Sequence, residues 1–108
     1  MLFRSYWLNF TSFTPEYFNQ YGPTPSVSAN GTSNAIVWMI QTDDYASGGN
    51  ATLRAYDATN LGTEFYNSDQ NQQRDQAGLA VKFTVPTVAD GQVFVGAINE
   101  VDVYGLLN

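Results

Sequence analysis

The chain has 108 residues, four basic and ten acidic side chains, and a formal charge of −6. That balance repels phosphate backbones and no Lys/Arg stripe opposes it, so nucleic acid is a poor candidate partner. Cys and His are both absent, which removes disulfides, thiolate nucleophiles, Cys-ligated metal, the usual general base and the usual pH switch.

The length fits one domain. Seven Tyr, seven Phe and two Trp, with Val, Ile and Thr, suit pleated, half-buried surfaces, and the expected class is all-β. No apolar run approaches the ~18 residues a membrane span needs. The opening Met1-Leu2-Phe3-Arg4-Ser5-Tyr6-Trp7 lacks the apolar core and cleavage site of a signal peptide.

Residues 1–22 form a leader dense in aromatics (Phe3, Tyr6, Trp7, Phe10, Phe13, Tyr17, Phe18, Tyr21) without a clean period. Breaks at Thr14-Pro15 and Gly22-Pro23 predict irregular covering structure, favoured over an aromatic ligand platform. Pro15-Glu16-Tyr17-Phe18 reads as one short helical turn capped by Thr14. Leu2-Phe3-Arg4-Ser5 matches the translation of a sequencing-adapter end, which makes part of residues 1–5 a non-native candidate.

From Thr24 the chain becomes regular. Pro25-Ser26-Val27-Ser28 reads as a short strand, and residues 29–34 as a turn holding Asn30-Gly31. Ala35-Ile36-Val37-Trp38-Met39-Ile40 is apolar on both faces, as a strand between two layers would be. A polar loop, residues 42–50, precedes a strand at Thr52-Leu53-Arg54-Ala55-Tyr56 with Arg54 expected outside. Asp57-Ala58-Thr59-Asn60 is a turn, residues 61–66 a fourth strand, and residues 67–78 a long polar connection. Residues 82–96 then hold two apolar runs hinged on Asp90-Gly91, the strongest short-range hairpin signal, with Val93 and Val95 on one face and Gln92, Phe94 and Gly96 on the other.

The second half repeats the first. Pro25-Ser26-Val27 aligns with Pro86-Thr87-Val88, Ile36-Val37-Trp38 with Val93-Phe94-Val95, and Leu53-Arg54-Ala55-Tyr56 with Val101-Asp102-Val103-Tyr104. Offset copies of a four-strand meander are the sequence pattern of propeller blades. The expected organisation is the leader (1–22), a first blade with its polar connection (23–79) and a second, incomplete blade (80–108), a fragment of about two blades.

Leu53-Arg54-Ala55-Tyr56-Asp57-Ala58 resembles the L-x-A-Y/L-D-A signature of quinoprotein-type propeller repeats. Pro86-Thr87-Val88-Ala89-Asp90-Gly91-Gln92-Val93-Phe94-Val95-Gly96 is similar to the P-T-V-A-x-G-x-V-Y-V-G half of that repeat, and residues 101–107 to the carboxyl end of secreted bacterial pyrroloquinoline-quinone-like repeat proteins. Over residues 22–108 the resemblance implies a β-propeller, an extracellular or periplasmic setting and further blades as partners. It implies the family's quinone, calcium ion and acidic base only for the full-length protein, because no motif here matches that base and the vicinal Cys pair is missing. An uncovered last blade would also leave strand edges open to self-association.

Within the chain, Asp43-Asp44-Tyr45-Ala46-Ser47-Gly48-Gly49-Asn50 collects oxygen ligands that a calcium ion could use, but it lacks a fixed calcium-loop spacing and a solvated turn is favoured. Asp69, Arg74 and Asp75 read as a blade crossing with a weak surface ion pair rather than a partner-facing loop. Glu64 and Glu100 are the acids nearest to strands, and nothing in their spacing makes a glycosidase pair. Trp38 is tempting as a cofactor floor, yet an indole on an apolar strand is expected in the core. The triplets at Asn9, Asn30 and Asn50 match a glycosylation pattern that arises by chance in an Asn- and Thr-rich chain. No catalytic, cofactor-binding or metal residue is assigned. The expected function is a non-catalytic scaffold or interaction surface; the alternatives are a quinoprotein dehydrogenase completed by other blades, and a carbohydrate-binding module using the aromatic leader.

Overall fold

The computed structural model describes residues 11–19 and 22–106, and these build two antiparallel sheets. The leader aromatics Phe3, Tyr6, Trp7, Phe10 and Tyr21, the suspect residues 1–5 and the Asn9 triplet's first two positions lie outside the described residues. The first sheet is a four-stranded meander in chain order: β1 (Ser26–Asn30), β2 (Ser33–Gln41), β3 (Thr52–Asp57) and β4 (Asn60–Asn67). The second has three strands, β5 (Thr87–Ala89), β6 (Gln92–Ala97) and β7 (Glu100–Tyr104), also in order. A 3₁₀ turn at Asp43–Ser47 and a one-turn helix α1 (Gln72–Asp75) are the helical pieces among the described residues. The fold is all-β, and among the described residues no helix is long and apolar enough to cross a membrane.

Local chemistry explains the turns. Asp90 and Gly91 take φ of 51° and 71°, the left-handed pair that a two-residue hairpin turn requires. At the β3–β4 turn the Asp57 carboxylate accepts both the backbone N–H and the hydroxyl of Thr59, at 2.8 and 2.7 Å. Those bonds, with burial opposing them, hold the Asp57 carboxyl below its ordinary pKa.

Four expectations need correction. Residues 15–18 are not helical: the Thr14 hydroxyl donates to the Glu16 carbonyl (2.8 Å) instead of capping an N–H, and the Glu16 side chain is drawn to β3. The run at 82–86 is not a strand, because Phe83 has φ of 57° and Pro86 brings no N–H to a ladder. Arg54 is not an exposed residue; its side chain is 15% exposed within an ion-pair network. The fourth concerns register.

Across the first sheet Val27, Val37, Tyr56 and Glu64 stand in one row. Val88, Val93 and Tyr104 make the corresponding row of the second. The next rows are Ser26, Trp38, Ala55, Tyr66 and Thr87, Phe94, Val103. The β1/β5 and β3/β7 alignments therefore hold, but Val37-Trp38 matches Val93-Phe94, one residue from the sequence alignment. The cause is the irregularity between Ser28 and Asn30, which adds a residue to the first hairpin.

The core lies between the sheets. Ile40 and Leu53 of the first meet Val93 and Val95 of the second, with Ala51, Ala77 and Ala80 filling the remaining space and Trp38, Tyr66, Val88 and Tyr104 at its border. Alternation along the strands turns Val27, Val37 and Tyr56 to the opposite side of the first sheet. Yet Val88, Val93 and Tyr104, which occupy the same rows, face the core. The sheets thus stack front to back. At one edge the two first strands meet, where the Ser26 hydroxyl donates to the Pro86 carbonyl oxygen.

Candidate functional site

Three stretches separated in sequence converge on a polar cleft of about 360 Å³ at the end of β2 and β3. Asp43 and Asp44 come from the 3₁₀ turn, Asn50 from the segment before β3, Thr52 from the start of β3, Asp69 from the connection after β4, and Gln41 and Arg54 from the strands. Asn19 reaches it from the leader. The two sequence candidates, residues 43–50 and Asp69, are therefore neighbours, while Arg74 and Asp75 lie elsewhere, in α1.

The cleft's polar groups are largely engaged with one another. Asp43 accepts the Asn19 N–H (2.9 Å) and the Gln41 amide (2.7 Å), and Asp69 accepts the Thr52 hydroxyl (2.9 Å). Arg54 donates to Gln41 (2.8 Å) and to Glu64 (2.9 Å), and lies 3.5 Å from Glu16. Asn50 donates to the Ala77 carbonyl (2.6 Å), which ties the loop to the inter-sheet segment. Burial pushes the Glu64 carboxyl up, but hydrogen bonds from Asn67 and Arg54 and the guanidinium charge outweigh it and hold the group below its ordinary pKa. Among the described residues no three metal-ligating side chains come together.

The acids near strands divide into separate networks. Glu64 belongs to the Arg54 cluster, whereas Glu100 sits beside Asp102, whose carboxylate charge raises the Glu100 pKa. Trp38 is a border residue of the core and donates its indole N–H to Ser28 (2.8 Å). Arg74 pairs with its neighbour Asp75, and both groups are stabilised in the charged form. Asn30 closes the first hairpin turn.

The leader covers the far side of the first sheet. Ser12 Oγ accepts the Leu61 N–H (3.0 Å), and the Tyr56 hydroxyl donates to Glu16 (2.6 Å). The Tyr56 ring is wholly buried, and burial together with the Glu16 carboxylate pushes its hydroxyl pKa well up. The far side of the second sheet is different: Val101 and Val103 are 63% and 50% exposed. In the first sheet the positions in the same rows, Leu53 and Ala55, are fully buried.

Sequence reasoning singled out residues 43–50, Asp69, Glu64 and Arg54 but not the cleft, since convergence of residues 43–50 with Asp69 depends on the path of the connection. Gln41 and Thr52 carried no signal beyond flanking apolar strands. No protein-family model, no curated protein and no solved structure matches this chain.

Proposed function

We propose that this chain supplies blades of a β-propeller of the pyrroloquinoline-quinone-like repeat type and acts as a non-catalytic scaffold or interaction surface in an extracellular or periplasmic protein. Its partners are further blades. The observation that carries this reading is the front-to-back stacking of two sheets whose rows correspond. A closed sandwich buries the two inner faces against each other, whereas front-to-back stacking leaves a face on which a further sheet can pack, as blades do around a ring. The exposed Val101 and Val103 occupy that face, and the contact between Ser26 and Pro86 brings first strands together as inner strands around an axis would be. The cleft supports the scaffold role, because its carboxylates tie loops to strands.

Single-particle imaging of the assembly in which the chain occurs tests the reading. A ring of ~4 to 8 radial sheets is expected; a stand-alone two-layer sandwich overturns it. Pyrroloquinoline quinone with calcium should leave the Tm of this chain unchanged, and a rise would favour the dehydrogenase alternative through binding to the folded state.

A further inference from the structure

The sequence holds one Asn-Gly pair, Asn30-Gly31, and the fold puts it at the tip of the β1–β2 hairpin. Asn30 pairs with Ser33 across the turn, and Asn30 and Gly31 are both exposed. Gly31 has φ of 62°, and a Cβ built on it would meet no atom within 4 Å, so the space beside this peptide bond is open. Among the described residues neither the Asn30 side chain nor the Gly31 N–H has a hydrogen-bond partner.

Other asparagines are held differently. Asn60 is also exposed in a hairpin turn, but its Oδ1 accepts the Gly62 N–H at 3.0 Å. The next N–H, that of Leu61, donates to Ser12 Oγ at 3.0 Å. Asn67 accepts from the Asp69 N–H (3.1 Å) and donates to Glu64 (2.6 Å), while the Ser68 N–H donates to the Leu53 carbonyl (2.9 Å). Asn50 donates to the Ala77 carbonyl (2.6 Å), and the Ala51 N–H donates to the Gly78 carbonyl (2.9 Å). In these three the side-chain amide and the following N–H are both engaged.

That contrast decides one reaction. A backbone nitrogen can attack the side-chain amide carbon of the asparagine before it, if its N–H is free and no Cβ crowds the approach. We propose that Asn30 is a deamidation site of this chain, with the Gly31 nitrogen as nucleophile and water as co-reactant. The Gly31 nitrogen gives its proton to solvent and bonds to Asn30 Cγ. The Cγ–Nδ2 bond breaks, and Nδ2 takes up a proton and leaves as ammonia. Water then opens the cyclic succinimide at either of its carbonyl carbons. Opening at Cγ gives aspartate, and opening at the backbone carbonyl carbon gives isoaspartate, whose main chain runs through Cβ. Either product adds a negative charge to a chain already at −6. Isoaspartate also lengthens the main chain at the Asn30–Ser33 pair, next to the irregularity between Ser28 and Asn30.

The test incubates the whole folded 108-residue chain in mildly alkaline buffer made with heavy-oxygen water, and peptide mass spectrometry follows each asparagine. Label should enter position 30 about tenfold faster than position 60, where a hydrogen bond must first be broken. Both aspartate and isoaspartate should form at position 30, because direct hydrolysis of the amide gives aspartate alone. In urea, labelling at positions 50, 60 and 67 should rise as their bonds are lost. Asn30→Gln leaves the Gly31 turn intact and should remove the fast-forming acidic species. Equal rates at positions 30 and 60 in the folded chain, aspartate as the sole product, no rise in urea, or an acidic species forming as fast in Asn30→Gln would overturn the assignment.

Discussion

Tyr56→Phe isolates one contact between the leader and the first sheet. The ring is fully buried and keeps its packing in the variant, so the loss is the hydroxyl's bond to Glu16 at 2.6 Å. A hydrogen bond to a charged group is worth ~1.5 to 3 kcal/mol. The lower end applies, because the Glu16 side chain is 26% exposed and keeps Arg54 at 3.5 Å. A loss of ~1.5 kcal/mol corresponds to a fall in Tm of roughly 6 °C for a domain of this size. Urea unfolding should give an unchanged m with a lower midpoint. Glu16→Ala should cost a similar amount, and the double variant little more than either alone, because both remove the same bond. Strict additivity of the two, or a Tyr56→Phe loss under ~0.5 kcal/mol, would refute the view that this bond holds residues 11–19 on the sheet.

The Arg54 cluster should make stability pH-dependent. Glu64 has a lowered pKa in the folded state, so its contribution is complete above the ordinary value and disappears as pH falls through the lowered one; Glu64→Gln should flatten the acid limb of a Tm-against-pH curve. Leu53→Ala, at a position of 0% exposure between the sheets, should cost ~2 to 5 kcal/mol in urea unfolding, while the corresponding Val101→Ala on the open face should cost under ~0.5 kcal/mol. Gly91→Ala should cost about 1 kcal/mol in chemical denaturation, because φ is +71° and a Cβ there meets no atom within 4 Å, which leaves backbone strain alone.

Much of the secondary structure is legible in the sequence, because strands and turns here answer to local chemistry. Alternating apolar residues around Asp90-Gly91 define the β5–β6 hairpin, and the Tyr-Asp-Ala-Thr-Asn run at 56–60 marks the β3–β4 turn. The internal repeat is visible for the same reason: Pro25 and Pro86, Tyr56 and Tyr104 keep their types across both copies. Three features are not local and were missed. A hairpin irregularity at Ser28 to Asn30 shifted one strand by a residue. Glu16 found a tertiary partner that outcompeted a single helical turn with no other support. Arg54 has the composition of a surface residue, yet three partners from different strands and the leader hold it inside.

By itself the sequence determined the all-β class, the repeat and the residues able to turn the chain, since each depends on side chains a few positions apart. Only the tertiary structure decided that the sheets stack front to back and that residues 43–50 and Asp69 share a cleft. Those arrangements depend on which faces bury each other, and burial between sheets is set by the packing of distant segments rather than by any short pattern.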